Sequence, residues 1–233
     1  MPYRRFPATD AARIRALKTI LDNDDVYTVK NRVVDWKTLS RAKTVYDNFS
    51  RALDSLHLSR RCEVKADSKY KELFQRARMF VSHFIQVLHM AMQRGEIRVS
   101  AQSLYGMQED DFSVPEMLTE RQLIEWGERV INGERERLKT GGVPIYNPNI
   151  AKVAVHYDLF REAWQRRHSL MERSDECRDK VAALRGEVDS VLQDLWNGIE
   201  QHFADLPPEQ RYDACRKCGV IYYYRRGEAH IYG

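Results

Sequence analysis

Glycine and proline are scarce, 11 and 7 in a chain of 233 residues. Few turn-formers and few breakers argue against a many-stranded sheet and favour long helices. Long hydrophobic runs are missing too. The longest apolar stretch, Met79 to Met92, is interrupted by Ser82, His83, Gln86 and His89, so it is too short and too polar to span a bilayer. The opening Met1-Pro2-Tyr3-Arg4-Arg5-Phe6-Pro7 leads into charged sequence with no apolar segment of a secretory signal, and a cytoplasmic protein with no membrane partner is expected. Cys62, Cys177, Cys215 and Cys218 are the only cysteines, too few for a disulfide framework at this size.

The recognised signatures of catalysis are also missing. The chain has no Gly-x-Gly-x-x-Gly, no Gly-Lys-Ser/Thr and no Gly-x-Ser-x-Gly, which removes the common phosphate-binding loops and the nucleophile elbow. Carboxylate-bridged di-iron bundles need Glu-x-x-His pairs on two helices; here Asp54-x-x-His57 is the single carboxylate–histidine pair at that spacing. His83 and His89 read as hydrogen-bonded residues at the edge of a core, and His202 as a core histidine. No catalytic residue and no cofactor is expected, and the chain reads as a non-enzyme.

What the chain does have is charge and helical periodicity. Charged residues make up 31% and apolar residues 43%. The net charge of +4 is uneven, with 20 Lys/Arg against 11 Asp/Glu in the first hundred residues. Thr9 or Asp10 caps a first helix carrying Ile14, Leu17 and Leu21. Leu39, Ala42, Tyr46, Phe49, Leu53 and Leu56 recur at three- and four-residue spacing to about Arg60. After Asp67 or Ser68 a second stripe runs from Tyr70 through Leu73, Ala77, Phe84 and Leu88 to Gly95. Residues 96–100 read as extended, and Thr119 opens a helix to Lys139. Helices at 148–174 and 175–204 follow, with one continuous kinked helix as the alternative. Pro207-Pro208 end them. A short helix then reaches Cys218, and Val220–Tyr224 and Ala229–Tyr232 read as the strands of a hairpin.

A phrase recurs. Tyr46-Asp47-Asn48-Phe49-Ser50-Arg51-Ala52 reappears, altered, as Tyr157-Asp158-Leu159-Phe160-Arg161-Glu162-Ala163, at an offset of 111. The same offset carries Leu39, Ala42 and Leu53 onto Ile150, Val153 and Trp164. It also carries Tyr70, Leu73, Ala77, Phe84 and Leu88 onto Val181, Leu184, Val188, Leu195 and Ile199. The expected fold is therefore all-α, a single domain over 1–233. It is an up-and-down four-helix bundle of two duplicated helix hairpins, 38–95 and 149–206. A connector spans 96–148, with extra helices at 10–22 and 119–139, and a small β-hairpin at 219–233. The two phrases are expected on neighbouring helices related by an approximate two-fold axis.

Three sets of side chains are candidates for a site. Cys215-x-x-Cys218 has the spacing of half a zinc site or of a redox dithiol, but it has no second pair and is expected to close a helix rather than open one. The bland reading is a small apolar helix face. Arg60, Arg61, Lys65, Lys69 and Lys71 would cluster around a turn between two helices and could bind an anion such as nucleic acid, against the plainer reading of a solvated face. Tyr222 and Tyr224 on the final strand could meet a partner or a second subunit.

At Ser82-His83-Phe84-Ile85-Gln86-Val87-Leu88-His89-Met90-Ala91-Met92-Gln93-Arg94-Gly95-Glu96-Ile97 and Gly219-Val220-Ile221-Tyr222-Tyr223-Tyr224-Arg225-Arg226-Gly227-Glu228, the chain resembles a family of helical proteins from gut bacteria with no assigned function. The resemblance implies a bacterial helical protein and no activity. Abundant stripes without convergent polar chemistry make a non-enzymatic interaction or scaffold protein, with a homo-oligomer among its forms, the leading expectation. A nucleic-acid-associated protein and a metal or redox role of the cysteine pair are the alternatives.

Overall fold

The computed structural model describes residues 2–23 and 33–228. They are mostly helical, with a small antiparallel pair of strands. In chain order the elements are β1 (Tyr3–Arg4), α1 (Asp10–Leu21), α2 (Trp36–Gln93), a 3-10 helix (Val99–Tyr105), α3 (Glu120–Lys139), α4 (Ile150–His202), α5 (Pro208–Lys217) and β2 (Tyr222–Tyr223).

Both long helices correct the hairpin reading. Residues 36–93 are one helix, with no turn near 61–67. Nothing between Trp36 and Gln93 is a glycine or a proline, and nothing there must break a helix. Asp67, expected as a cap, remains inside the helix, where it bonds Lys71 one turn on at 3.1 Å and Arg167 at 3.0 Å. Residues 150–202 are likewise continuous, which is the alternative foreseen for that segment. The connector also differs: Val99 and Ser100, expected as extended, open a 3-10 helix that runs to Tyr105.

The chain divides into two compact units. One takes the described residues up to Ser59 and those from Ser174 on; the other is Arg60–Arg173. Each long helix contributes one part to each unit.

In the first unit, residues 36–59 of α2 and 174–202 of α4 share a core. Leu39, Ala42, Phe49 and Leu56 are buried with Val181, Val188, Leu192, Leu195 and Ile199. α1 joins through Leu17 and Ile20, capped by the Thr9 hydroxyl, which accepts from Ala12 N–H at 3.2 Å. α5 adds Cys215, and Gly219 (φ 97°) turns the chain out of it, with Val220 buried. The expected partner of β2 was residues 229–232, which lie outside the described residues. β2 pairs with β1, Tyr3 opposite Tyr223, so the segment before α1 is tied to this unit. His202 is exposed, its ring edge-on to Phe203, because it falls in the final fraying turn of α4.

The second unit is built from residues 60–93 of α2, the 3-10 helix, α3 and residues 150–173 of α4. Its core holds Tyr70, Ala77, Phe84, Leu88, Leu123, Val130, Val153, Tyr157 and Phe160. α3 begins with a capping box between Thr119 and Gln122. Its stripe is thin because two positions are glycine where neighbours come very close. A Cβ on Gly127 would lie 2.3 Å from the Tyr157 ring, and one on Gly133 2.6 Å from Tyr105.

Candidate functional site

A groove of about 460 Å³ lies in the second unit where α2 passes the start of α3. Tyr70, Phe74 and Leu118 form its apolar lining, and Lys71, Gln75, Glu120 and Arg121 its polar rim. The floor is rigid. Phe74 meets Phe160 edge-on with ring centroids 5.6 Å apart, and Tyr70 lies 6.0 Å from Phe160. Leu118, in contrast, is 60% exposed, more than a lone leucine beside an available core needs.

Charges flank this floor. Arg167 donates to Asp67 at 3.0 Å and to Glu120 at 3.3 Å, and its guanidinium lies over the Tyr70 ring at 5.0 Å. The Trp164 indole N–H donates to the second Glu120 oxygen at 3.2 Å. Burial, helped by Glu120, pushes the Tyr70 hydroxyl well above its ordinary pKa. It remains protonated at any physiological pH. The groove thus pairs an apolar floor with cationic Arg121, while Glu120 and Lys71 are already engaged, the latter with Asp67 at 3.1 Å.

A second polar cluster in the same unit is structural. Glu134 is fully buried and Arg137 nearly so. Arg137 grips both Glu134 oxygens at 2.8 and 2.7 Å and donates to the Val143 carbonyl at 2.8 Å. The Tyr105 hydroxyl donates to Glu134 at 2.5 Å. Every polar atom of the carboxylate has a partner, so the cluster fastens the 3-10 helix and the 140–145 loop to α3 and presents nothing to a ligand.

In the first unit a smaller polar pocket, about 250 Å³, is lined by Arg4, Glu200, Arg211, Tyr212 and Tyr222. Arg4 donates to Glu200 at 2.8 and 2.5 Å and to Asn197 at 2.7 Å. Burial pushes the Glu200 carboxyl up, but the hydrogen bonds from Arg4 and from Tyr222 outweigh it and hold the pKa below the ordinary value.

The predicted site residues are not brought together. Cys215 is fully buried and Cys218 is 3% exposed, both inside the first core. Burial pushes the Cys215 thiol up, away from the thiolate that metal binding or redox exchange needs. Among the described residues no group of three or more His, Cys, Asp or Glu is placed to hold a metal ion. Arg60, Arg61, Lys65, Lys69 and Lys71 are all exposed, but the turn meant to gather them is absent. On a continuous helix Arg61, Lys65 and Lys69 form one stripe at four-residue spacing. Arg60 and Lys71 lie off it, and Lys71 is paired with Asp67. Tyr222 is spent internally: its hydroxyl donates to Glu200 at 2.6 Å and its ring meets Tyr212 edge-on at 5.2 Å. Tyr224 is half-buried.

Sequence reasoning missed Tyr70, Phe74, Leu118 and Arg121 as a set, because they meet only through the approach of α3 to α2. The i, i+3 spacing of Glu134 and Arg137 on the thin stripe of α3 was the one available sign of the buried pair. No described helix is long and apolar enough to cross a membrane. No family model matches the chain, and no curated protein or solved structure matches it either.

Proposed function

We propose that the chain is a non-enzymatic protein-interaction module whose second unit receives a partner segment rich in apolar and acidic side chains. The observation that carries this reading is the groove itself, where exposed Leu118 continues the Tyr70–Phe74 floor and Lys71 and Arg121 rim it. An apolar anchor site with a charged rim is the usual anatomy of such interfaces, and exposed Arg121 on that rim selects acidic partners. Binding of a fluorescent peptide alternating Leu/Phe with Glu tests it, against its Lys-for-Glu counterpart. The acidic peptide should bind and the basic one should not. Leu118→Asp and Arg121→Glu should each weaken binding at least tenfold, whereas equal affinity for parent and variants would end the reading.

A second reading rests on the Arg61, Lys65 and Lys69 stripe, exposed along one side of α2. It predicts retention on single- or double-stranded nucleic acid at low salt, lost steeply as salt rises and lost on changing all three residues to Glu. No retention at low salt disposes of it.

The architecture behind the module is read as a duplication. Each unit has a threonine-capped helix (Thr9 for α1, Thr119 for α3) and a short helix, 99–105 or 208–217, following a long one. Paired positions share burial: Ala42 with Val153, Phe49 with Phe160, Ala77 with Val188, Phe84 with Leu195 and Leu88 with Ile199 are all inside.

A further inference from the structure

The polar pocket of the first unit carries more positive charge than its own contacts use. Its charged walls are Arg4, Arg211 and Glu200, two guanidiniums against one carboxylate. Four elements converge there. Arg4 comes from β1, Glu200 from α4, Arg211 and Tyr212 from α5, and Tyr222 from β2. The pairing of β1 with β2 sets Arg4 opposite Tyr222, and Arg5 N–H holds that register by donating to the Ile221 carbonyl at 2.8 Å.

The single carboxylate is already spent. Both Glu200 oxygens accept from Arg4, and one of them also accepts from the Tyr222 hydroxyl. A guanidinium has five N–H groups. Arg4 uses three, two on Glu200 and one on Asn197. Arg211 uses one, on the Tyr212 hydroxyl at 3.2 Å, and among the described residues no carboxylate pairs with it. What holds Arg211 is neutral. Its guanidinium lies over the Tyr212 ring at 5.0 Å, and that ring is 7% exposed and wedged edge-on against Tyr222. Arg211 also stands in the first turn of α5, the end at which the helix dipole disfavours a cation and favours an anion.

We propose that this pocket binds the carboxylate of a small organic acid, seated between Arg211 and the remaining N–H groups of Arg4. A guanidinium fork matches a carboxylate through two parallel hydrogen bonds, a match that an ammonium lacks. The walls carry one net positive charge, which a carboxylate neutralises and a phosphate dianion would overshoot. The space, about 250 Å³, lies just under the range of about 300–1,000 Å³ usual for ligand pockets, which limits the acid to a few carbons. Apart from Pro2 and the faces of two tyrosines the walls are polar, so they offer no seat to a long apolar chain. The bound acid bridges β1 to α5.

Sodium acetate titrated into the full chain, labelled with ¹⁵N in arginine, tests this at constant ionic strength set with chloride. The Arg211 and Arg4 Nε resonances should move together and saturate at millimolar acetate, while those of exposed Arg60 and Arg61 stay in place. Inorganic phosphate should bind the same site more weakly. Arg211→Gln breaks no ion pair, so it should keep the parent's urea midpoint while losing the saturable shift at Arg4. Arg211→Lys keeps the charge without the fork and should weaken acetate binding at least threefold. An Arg211 resonance unmoved by acetate, a shift that grows without saturating, tighter binding of phosphate, or an Arg4 shift preserved in Arg211→Gln would each overturn the assignment.

Discussion

Glu134 shows how strictly single residues are held. A carboxylate with no exposure is tolerable only because Arg137 and Tyr105 satisfy it, and removing one member of such a pair strands the other. Glu134→Ala is expected to cost about 3–5 kcal/mol in urea unfolding, with Glu134→Leu combined with Arg137→Met costing clearly less than Glu134→Ala alone. Acid acts on a different carboxylate. Glu200 has a folded-state pKa below its ordinary 4.5, so the unfolded chain binds protons first as pH falls. Its stabilisation is complete above that ordinary value and is lost as pH drops through the lower folded value. Asp10, held down by the Arg185 hydrogen bonds, adds to the loss in the same direction below its ordinary 3.8. The urea midpoint should fall between pH 6 and pH 3, and Glu200→Gln should lower the midpoint at pH 6 while reducing that fall.

At the scale of the element, the lesson lies between Arg60 and Ser68. The stripes on either side of it were legible because apolar residues recur every three or four positions, and Leu39, Ala42, Phe49, Ala77, Phe84 and Leu88 are all buried. The break between them was not real. Asp67-Ser68 looks like a cap in one dimension, and only the position of Arg167, 100 residues away, shows that Asp67 has a partner inside the helix. Lys65→Pro separates the two readings. In a turn it would be nearly neutral; in a continuous helix it should cost about 3 kcal/mol or more, visible as lost helical circular dichroism and a lower urea midpoint. The Thr119 capping box and the Gly219 exit could be read locally because they depend on neighbours within a few residues. The groove and the Arg4–Arg211 pocket could not, since each needs an element brought from elsewhere in the chain.

For the whole molecule, the described buried apolar residues fall into two clusters. Phe49 and Phe160, both fully buried, occupy one cluster each. Either change to Ala should cost about 3–5 kcal/mol. Hydrogen exchange should rise first in residues 60–173 for Phe160→Ala, and first in the remainder for Phe49→Ala. Equal acceleration throughout both units in either variant would mean that the clusters open as one.

The division of α2 and α4 between the units also sets an order of events during translation. Residues 60–173 are contiguous, so everything that unit needs has left the ribosome while the chain is still growing. The other unit takes residues on both sides of that stretch, so its earlier part lacks its opposing helix until residues 174–228 emerge. The segment with Leu17, Leu39 and Phe49 must therefore wait for partners made more than a hundred residues later, while residues 60–173 can already close.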